Sequence, residues 1–183
     1  MPPLMRWLSL ALLAALPAVA AAAEVLTLCY HYSCDRNRRI ELDDTAQIWF
    51  RQRLDDAADA DAERAALQDI VLSYYQRAAR EAPIASDRGG NHEDAANVGR
   101  MDCLDHSHNV LVLLQLLATK GWLRHHLLLG QVHRAPLLFN HHAAVAVHDV
   151  TSGQDWVIDS WFRDFGAPPV VVPLAIWKEG FSP

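Results

Sequence analysis

Between Asp102 and Gly121 the chain carries a segment with almost no polar side to turn toward water. Residues 110–118 are all Val, Leu or Ala except for Gln115. A helix that is apolar on nearly all sides folds only where the rest of the chain surrounds it, which makes it the centre of a domain. A bilayer is the alternative, but the run is shorter than the roughly 20 residues needed to span one. Both ends are marked. Asp102 is an N-cap with Asp105 three residues later, an acidic variant of the capping box, and Gly121 closes the helix as a C-cap. Cys103 therefore falls in the first turn of this helix.

The flanking segments supply what surrounds it. Asp44 or Thr45 caps a helix running to about Leu54, with Ile48, Trp49 and Leu54 available to a core. Asp59 or Asp61 starts a second, in which Ala66, Ile70, Tyr74 and Ala78 recur at four-residue spacing beside Leu67 and Val71, and Pro83 ends it. Residues 86–101 hold Gly89, Gly90 and Gly99 with little apolar periodicity, a loop long enough to be functional. Beyond Gly121 the pattern changes to strands over 127–132, 142–150 and 156–161, the last two joined as a hairpin by the turn residues 151–154. Pro168, Pro169 and Pro173 around 170–172 indicate an edge segment. Helices followed by an antiparallel sheet make an α+β domain.

The chain of 183 residues is long enough for one such domain and too short for two ordinary ones. Its first 23 residues read as a secretory leader: Arg6 as the only charge, an apolar run from Trp7 to Leu16, then Pro17 and a stretch rich in alanine. Cleavage is expected near Ala22 or Ala23, with Ala20 as a further site. The domain is then 24–183, exported to a periplasm or secreted, with no stable membrane insertion once the leader is removed. Loss of Arg6 takes the formal charge from −6 to −7, which disfavours a broad electrostatic grip on nucleic acid. Three cysteines fit an oxidising compartment. Cys29 and Cys34 frame a short tyrosine-containing stretch and are close enough to pair. That leaves Cys103 as the odd thiol.

Cys103, His142 and Asp159 form a constellation. A cysteine nucleophile needs a base for its proton and a group that orients the base. A helix N-terminus favours a thiolate, and neighbouring strands can bring His142 and Asp159 side by side. Asp102 and Asp105 work the other way, since like charge raises a thiol pKa. Two rivals stand beside these residues. His141 would occupy the opposite face of the strand from His142. Asp155 lies at a turn, where an Asp is commonplace, whereas Asp159 lies between Ile158 and Trp161 and needs a partner.

Met-Asp-Cys103-Leu-Asp opening a buried helix, His142-Ala-Ala-Val-Ala-Val on a strand and Trp156-Val-Ile-Asp159-Ser on the next resemble the Cys, His and Asp segments of the transglutaminase-like superfamily. The likeness is to bacterial transglutaminase-like cysteine proteinases and to uncharacterised exported proteobacterial relatives, and it covers about 99–177. It implies a papain-like α+β core, with Cys103 as nucleophile, His142 as general base and acid, and Asp159 as its orienter. The Asp159-Ser160-Trp161 run also resembles the Asn-Ser-Trp of papain-like enzymes, which implies Trp161 shielding the histidine pair from water. Asp102 supports the nucleophile's helix. The backbone N–H of Cys103 is one oxyanion donor, and Gln47 and Asn91 are the side chains considered for a second.

The expected function is an exported cysteine peptidase or amidase, or an acyl transferase, acting on a peptide or protein amide. Two other classes stand beside it. One is a non-catalytic binding module that retains the groove. The other is a metal protein using some of the ten histidines, for which Cys103, His106, His125, His126, His141 and His142 carry suitable donors. No cofactor is expected. Some transglutaminase-like bacterial proteinases use Ca2+, but no EF-hand ligand run is present here.

Overall fold

The computed structural model describes residues 23–135 and 141–183. Nearly all of the expected leader lies outside the described residues. The elements in order are β1 (Glu24–Tyr30), β2 (Arg36–Leu42), α1 (Asp44–Asp55), α2 (Ala60–Ala78), a 3-10 turn (Ile84–Ser86), α3 (Cys103–Thr119), β3 (His126–Arg134), β4 (His142–Asp149), β5 (Asp155–Asp159), β6 (Val170–Pro173) and α4 (Leu174–Lys178). The architecture is α+β: a four-stranded antiparallel sheet in the order β3-β4-β5-β6 and a separate hairpin of β1 and β2. The proline-rich segment supplies the edge strand β6.

Helix α3 lies between the two sheets, packing on β4 and β3 from one side and on β1 from the other. Its Leu113, Leu114 and Leu117 are fully buried, each contributing about 1.5–3 kcal/mol of apolar burial. Gly121 closes the helix with a positive φ of 67°, a conformation glycine adopts without the Cβ penalty.

Strand β4 explains its own composition. Val145 and Val147 face the main core with α3, while Ala144 and Ala146 face a second cluster with Val157, Val172 and Trp177. A strand covered on both faces reads as a continuous apolar run. The second cover is α4, which the sequence reading lacked.

Three expectations need correction. The described residues do not open with helices: β1 and β2 precede them, and Leu26, Leu28, Tyr30, Ile40 and Leu42 enter the core. The phase of α1 is shifted, leaving Ile48 and Trp49 exposed while Gln47 and Phe50 are buried with Ala46 and Leu54. Residues four apart share a helix face, and the buried set 46, 50, 54 follows that rule with Gln47 beside it. The N-cap of α1 is Asp43, one residue earlier than expected, its side chain accepting from the N–H of Ala46 at 2.7 Å. Helix α2 follows its pattern closely. Asp59 caps it, and Ala66, Ile70, Tyr74 and Ala78 are all buried.

Candidate active site

The start of α3 is held from several directions. Asp102 accepts hydrogen bonds from the N–H groups of Leu104 and Asp105 at 3.0 and 2.9 Å, and Asp105 accepts in return from the N–H of Asp102 at 3.3 Å. The capping box expected from the sequence is thus complete. The same carboxylates reach outward. Asp102 accepts from the Ser33 N–H at 2.9 Å and from its hydroxyl at 3.3 Å, and Asp105 accepts from the Cys34 N–H at 2.6 Å. One turn along α3, Asn109 grips Cys29 as a strand neighbour would: its Oδ1 accepts from the Cys29 N–H at 2.7 Å and its Nδ2 donates to the Cys29 carbonyl at 2.8 Å.

Between these grips lies a disulfide joining Cys29 to Cys34. The residues it encloses are unusual. His31, Tyr32, Ser33 and Cys34 all have φ between 53 and 71°, the left-handed region that L-residues other than glycine, and to a lesser degree Asn and Asp, rarely visit. The turn sets Tyr32 in the wall of the cleft that Cys103 lines, its hydroxyl donating to Asp94 Oδ1 at 2.7 Å. Burial and the bond to Asp94 hold the Tyr32 phenol above its usual range, so it stays protonated.

Cys103 and His142 line one cleft of about 270 Å³, walled by Tyr32, His92, Leu104, His133 and His141. Two larger hollows exist: a groove of about 560 Å³ between β1 and α3, and one of about 590 Å³ beside Arg64. Neither holds a free thiol, so chemistry rather than volume selects the smaller cleft. Cys103 is the free cysteine and is half-buried. Burial, with the charges of Asp102 and Asp159, pushes its thiol up from the ordinary value, against hydrogen bonds from the N–H groups of Ala143 and of Cys103 itself. The resting group is therefore the neutral thiol.

His142 and Asp159 meet at 2.6 Å, Nε2 to Oδ2, and only 5% and 2% of each residue is exposed. A carboxylate accepts, so Nε2 carries the proton and Nδ1 of the neutral ring is left with a lone pair. That Nδ1 has no hydrogen-bond partner among the described residues. Asp159 is itself fixed. Its Oδ2 also accepts from Trp177 Nε1–H at 2.9 Å, and its Oδ1 from the Trp161 N–H at 3.1 Å. Trp161, Phe162 and Trp177 surround the imidazole with ring centroids 4.7, 5.1 and 5.5 Å away.

No protein family, no curated protein and no solved structure matches the chain. The arrangement therefore has to be read from its own residues.

Cys103 and His142 share the cleft, and Asp159 binds the far side of the His142 ring. Trp161 lies on that ring and Asp102 caps the helix that Cys103 opens. The rivals have other places. His141 is exposed on the cleft wall, and Asp155 pairs with the part-exposed His148 at 2.7 Å. Gln47 donates to the Leu42 carbonyl, away from the cleft, while Asn91 accepts from Tyr32 through its backbone and from the Glu93 N–H through its side chain.

For the metal alternative, no group of three or more His, Cys, Asp or Glu among the described residues is arranged to hold an ion. His106 and His126 have both ring nitrogens bonded.

The sequence reading missed the Ala143 N–H, Asn109, Tyr32 and Trp177. Trp177 had a local signal, since Leu174, Ile176 and Trp177 follow Pro173, a residue that can open a helix. The Ala143 amide had none.

Proposed function

We propose that the protein is an exported cysteine hydrolase of papain-like, transglutaminase-like type, cleaving an amide bond of a peptide or protein in the periplasm or outside the cell. One observation carries the reading. Of the three buried histidine–carboxylate pairs among the described residues, only His142 keeps a ring nitrogen unbonded, and it shares its cleft with the free thiol.

The chemistry follows from the protonation states. The thiol is neutral at rest, so His142 Nδ1 removes its proton as Sγ attacks the carbonyl carbon. The imidazolium that forms is stabilised by Asp159, and the oxyanion receives the Cys103 N–H at the start of α3. His142 then returns the proton to the leaving amine and a thioester remains. Water, deprotonated by the same Nδ1, attacks the thioester and releases the acid and the free thiol. An amine in place of water would give acyl transfer by the same steps. Trp161 and Trp177 keep bulk water from the His142–Asp159 bond, where exclusion strengthens it.

The test is the rate of iodoacetamide alkylation of Cys103 against pH in the wild type and in His142→Ala, together with turnover of a panel of peptidyl p-nitroanilides. The expected result is wild-type turnover near pH 7 that falls when His142 is removed, with a Cys103 alkylation profile that differs between the two proteins because His142 Nδ1 takes the thiol proton in one of them. An unhydrolysed panel, with one shared alkylation profile of an ordinary thiol near 8.5, would overturn the reading.

A further inference from the structure

Behind the cleft lies a second hydrogen-bonded chain. His106 Nε2 meets Asp87 Oδ2 at 2.9 Å, and His106 Nδ1 meets Ser160 Oγ at 2.8 Å. Tyr75 OH approaches the same Oγ at 3.2 Å. All four residues are buried. Each donor finds an acceptor with a neutral imidazole: Tyr75 donates to Ser160, Ser160 to Nδ1, and Nε2–H to Asp87.

The order Asp, His, Ser is that of a hydrolytic triad, but the adjoining cavity measures about 20 Å³. That holds about one water, so no substrate reaches Ser160 Oγ.

The value of the chain lies in what it joins. Asp87 Oδ1 also accepts from the Met101 N–H at 2.8 Å, two residues before Cys103. His106 stands on α3 three residues after Cys103, on the same helix face. Ser160 directly follows Asp159. The loop bearing Asp87 is pressed onto the same segment: the Gly90 N–H donates to the Trp161 carbonyl at 2.8 Å, and a Cβ at Gly89 would come within 2.5 Å of the Phe162 and Arg163 backbone.

We infer that Asp87, His106 and Ser160 are positioning residues that lock the nucleophile's helix to the strand end carrying Asp159, and so set the approach of Cys103 to His142. This rests on the reading of Cys103 and His142 as the reacting pair. Misplacing reacting groups by about 1 Å costs on the order of 10²-fold in rate, so a rigid bridge here acts on turnover rather than on substrate affinity.

The experiment compares Ser160→Ala, Ser160→Thr and His106→Gln with His142→Ala, reading Cys103 alkylation by iodoacetamide across pH, p-nitroanilide turnover and the melting transition. Ser160→Ala is expected to keep a cooperative transition and to lower alkylation at pH 7 and kcat about tenfold, with KM within about twofold. Ser160→Thr, which restores a hydroxyl, is expected to recover most of the loss. Variants with wild-type profiles and kcat, beside a His142→Ala that is impaired, would overturn the bridge and leave the reacting pair intact. An unimpaired His142→Ala would overturn the reacting pair itself. Should His106→Gln fail to fold, the two Ser160 variants decide.

Discussion

A buried histidine–carboxylate pair sits near each end of β4, and the two differ in one ring nitrogen. At the start of the strand, His142 gives Nε2–H to Asp159 and leaves Nδ1 unbonded, in a residue that shares its cleft with Cys103. At the far end, His126 binds Glu63 through Nδ1 at 2.9 Å and faces Arg64 through Nε2 at 3.0 Å. Glu63 also accepts from the N–H groups of Arg124 and His125. Arg64 continues to Asp149 at 3.1 Å and to Asp61, and its guanidinium lies over the Trp156 ring. One end is closed, with both ring nitrogens of His126 and the Glu63 carboxylate bonded, and it ties α2 to the sheet. The other has an unused valence. Burial and a carboxylate do not by themselves leave a histidine free to take a proton; what sets His142 apart is an unbonded ring nitrogen in a residue that shares its cleft with a free thiol.

The comparison can be broken most directly at His142. His142→Ala should lower turnover by about 10²–10⁴-fold, the usual contribution of a general base, with a smaller loss of stability than at the other end. Glu63→Ala should do the reverse. It leaves His126 and two backbone N–H donors without their acceptor, and loss of one partner of a buried pair costs about 3–5 kcal/mol, to be read from urea unfolding while the alkylation rate of Cys103 in folded protein stays near wild type. A Glu63 variant that unfolds no more easily would remove the distinction between the two ends.

A finer test lies in Trp177→Phe, which deletes one charge-assisted donor to Asp159 and keeps most of the ring packing. Such bonds contribute about 1.5–3 kcal/mol, and turnover should fall about tenfold or more with little change in KM.

The smallest expected effects concern acid. Burial raises the Glu63 carboxyl, but the bonds from His126, Arg124 and His125 outweigh it and hold the group below its ordinary value. Its stabilisation is present above the unfolded-state value and is lost as pH falls. Asp105 has the opposite sign. Burial and the charge of Asp102 push it up to about 6, so the folded state binds a proton more tightly than the unfolded chain. Its contribution is fully present below about 4 and is lost as pH rises to 6. Asp105→Asn should flatten that part of the urea-stability profile, and Glu63→Gln should flatten the acid limb instead.

The grouping of the candidate site's side chains was more legible than the fold around it. Cys103, His142 and Asp159 announce themselves through local context: a cap before an apolar helix, the first residue of an apolar strand, and an acid enclosed by Ile158 and Trp161. The N-terminal hairpin did not, because β2 presents three arginines and a glutamate in seven residues and keeps only Ile40 and Leu42 for the core. In α1, apolar identity suggested Ile48 and Trp49 while helical phase buries Phe50. Asp87 could not be read at all. It sits in a loop without periodicity, and its partners His106 and Met101 are 19 and 14 residues away.

The turn at residues 31–34 carries a consequence of handedness. Four successive L-residues have φ in the left-handed region, at a cost of about 1–2 kcal/mol each. Such a turn persists only while groups outside it hold it, and here those groups include the cross-link to Cys29, the two carboxylates that cap α3, the Arg100 carbonyl and Asp94. The cleft wall bearing Tyr32 is thus built against the chirality of its own chain, and the chain relaxes toward the ordinary hand if those holds are released.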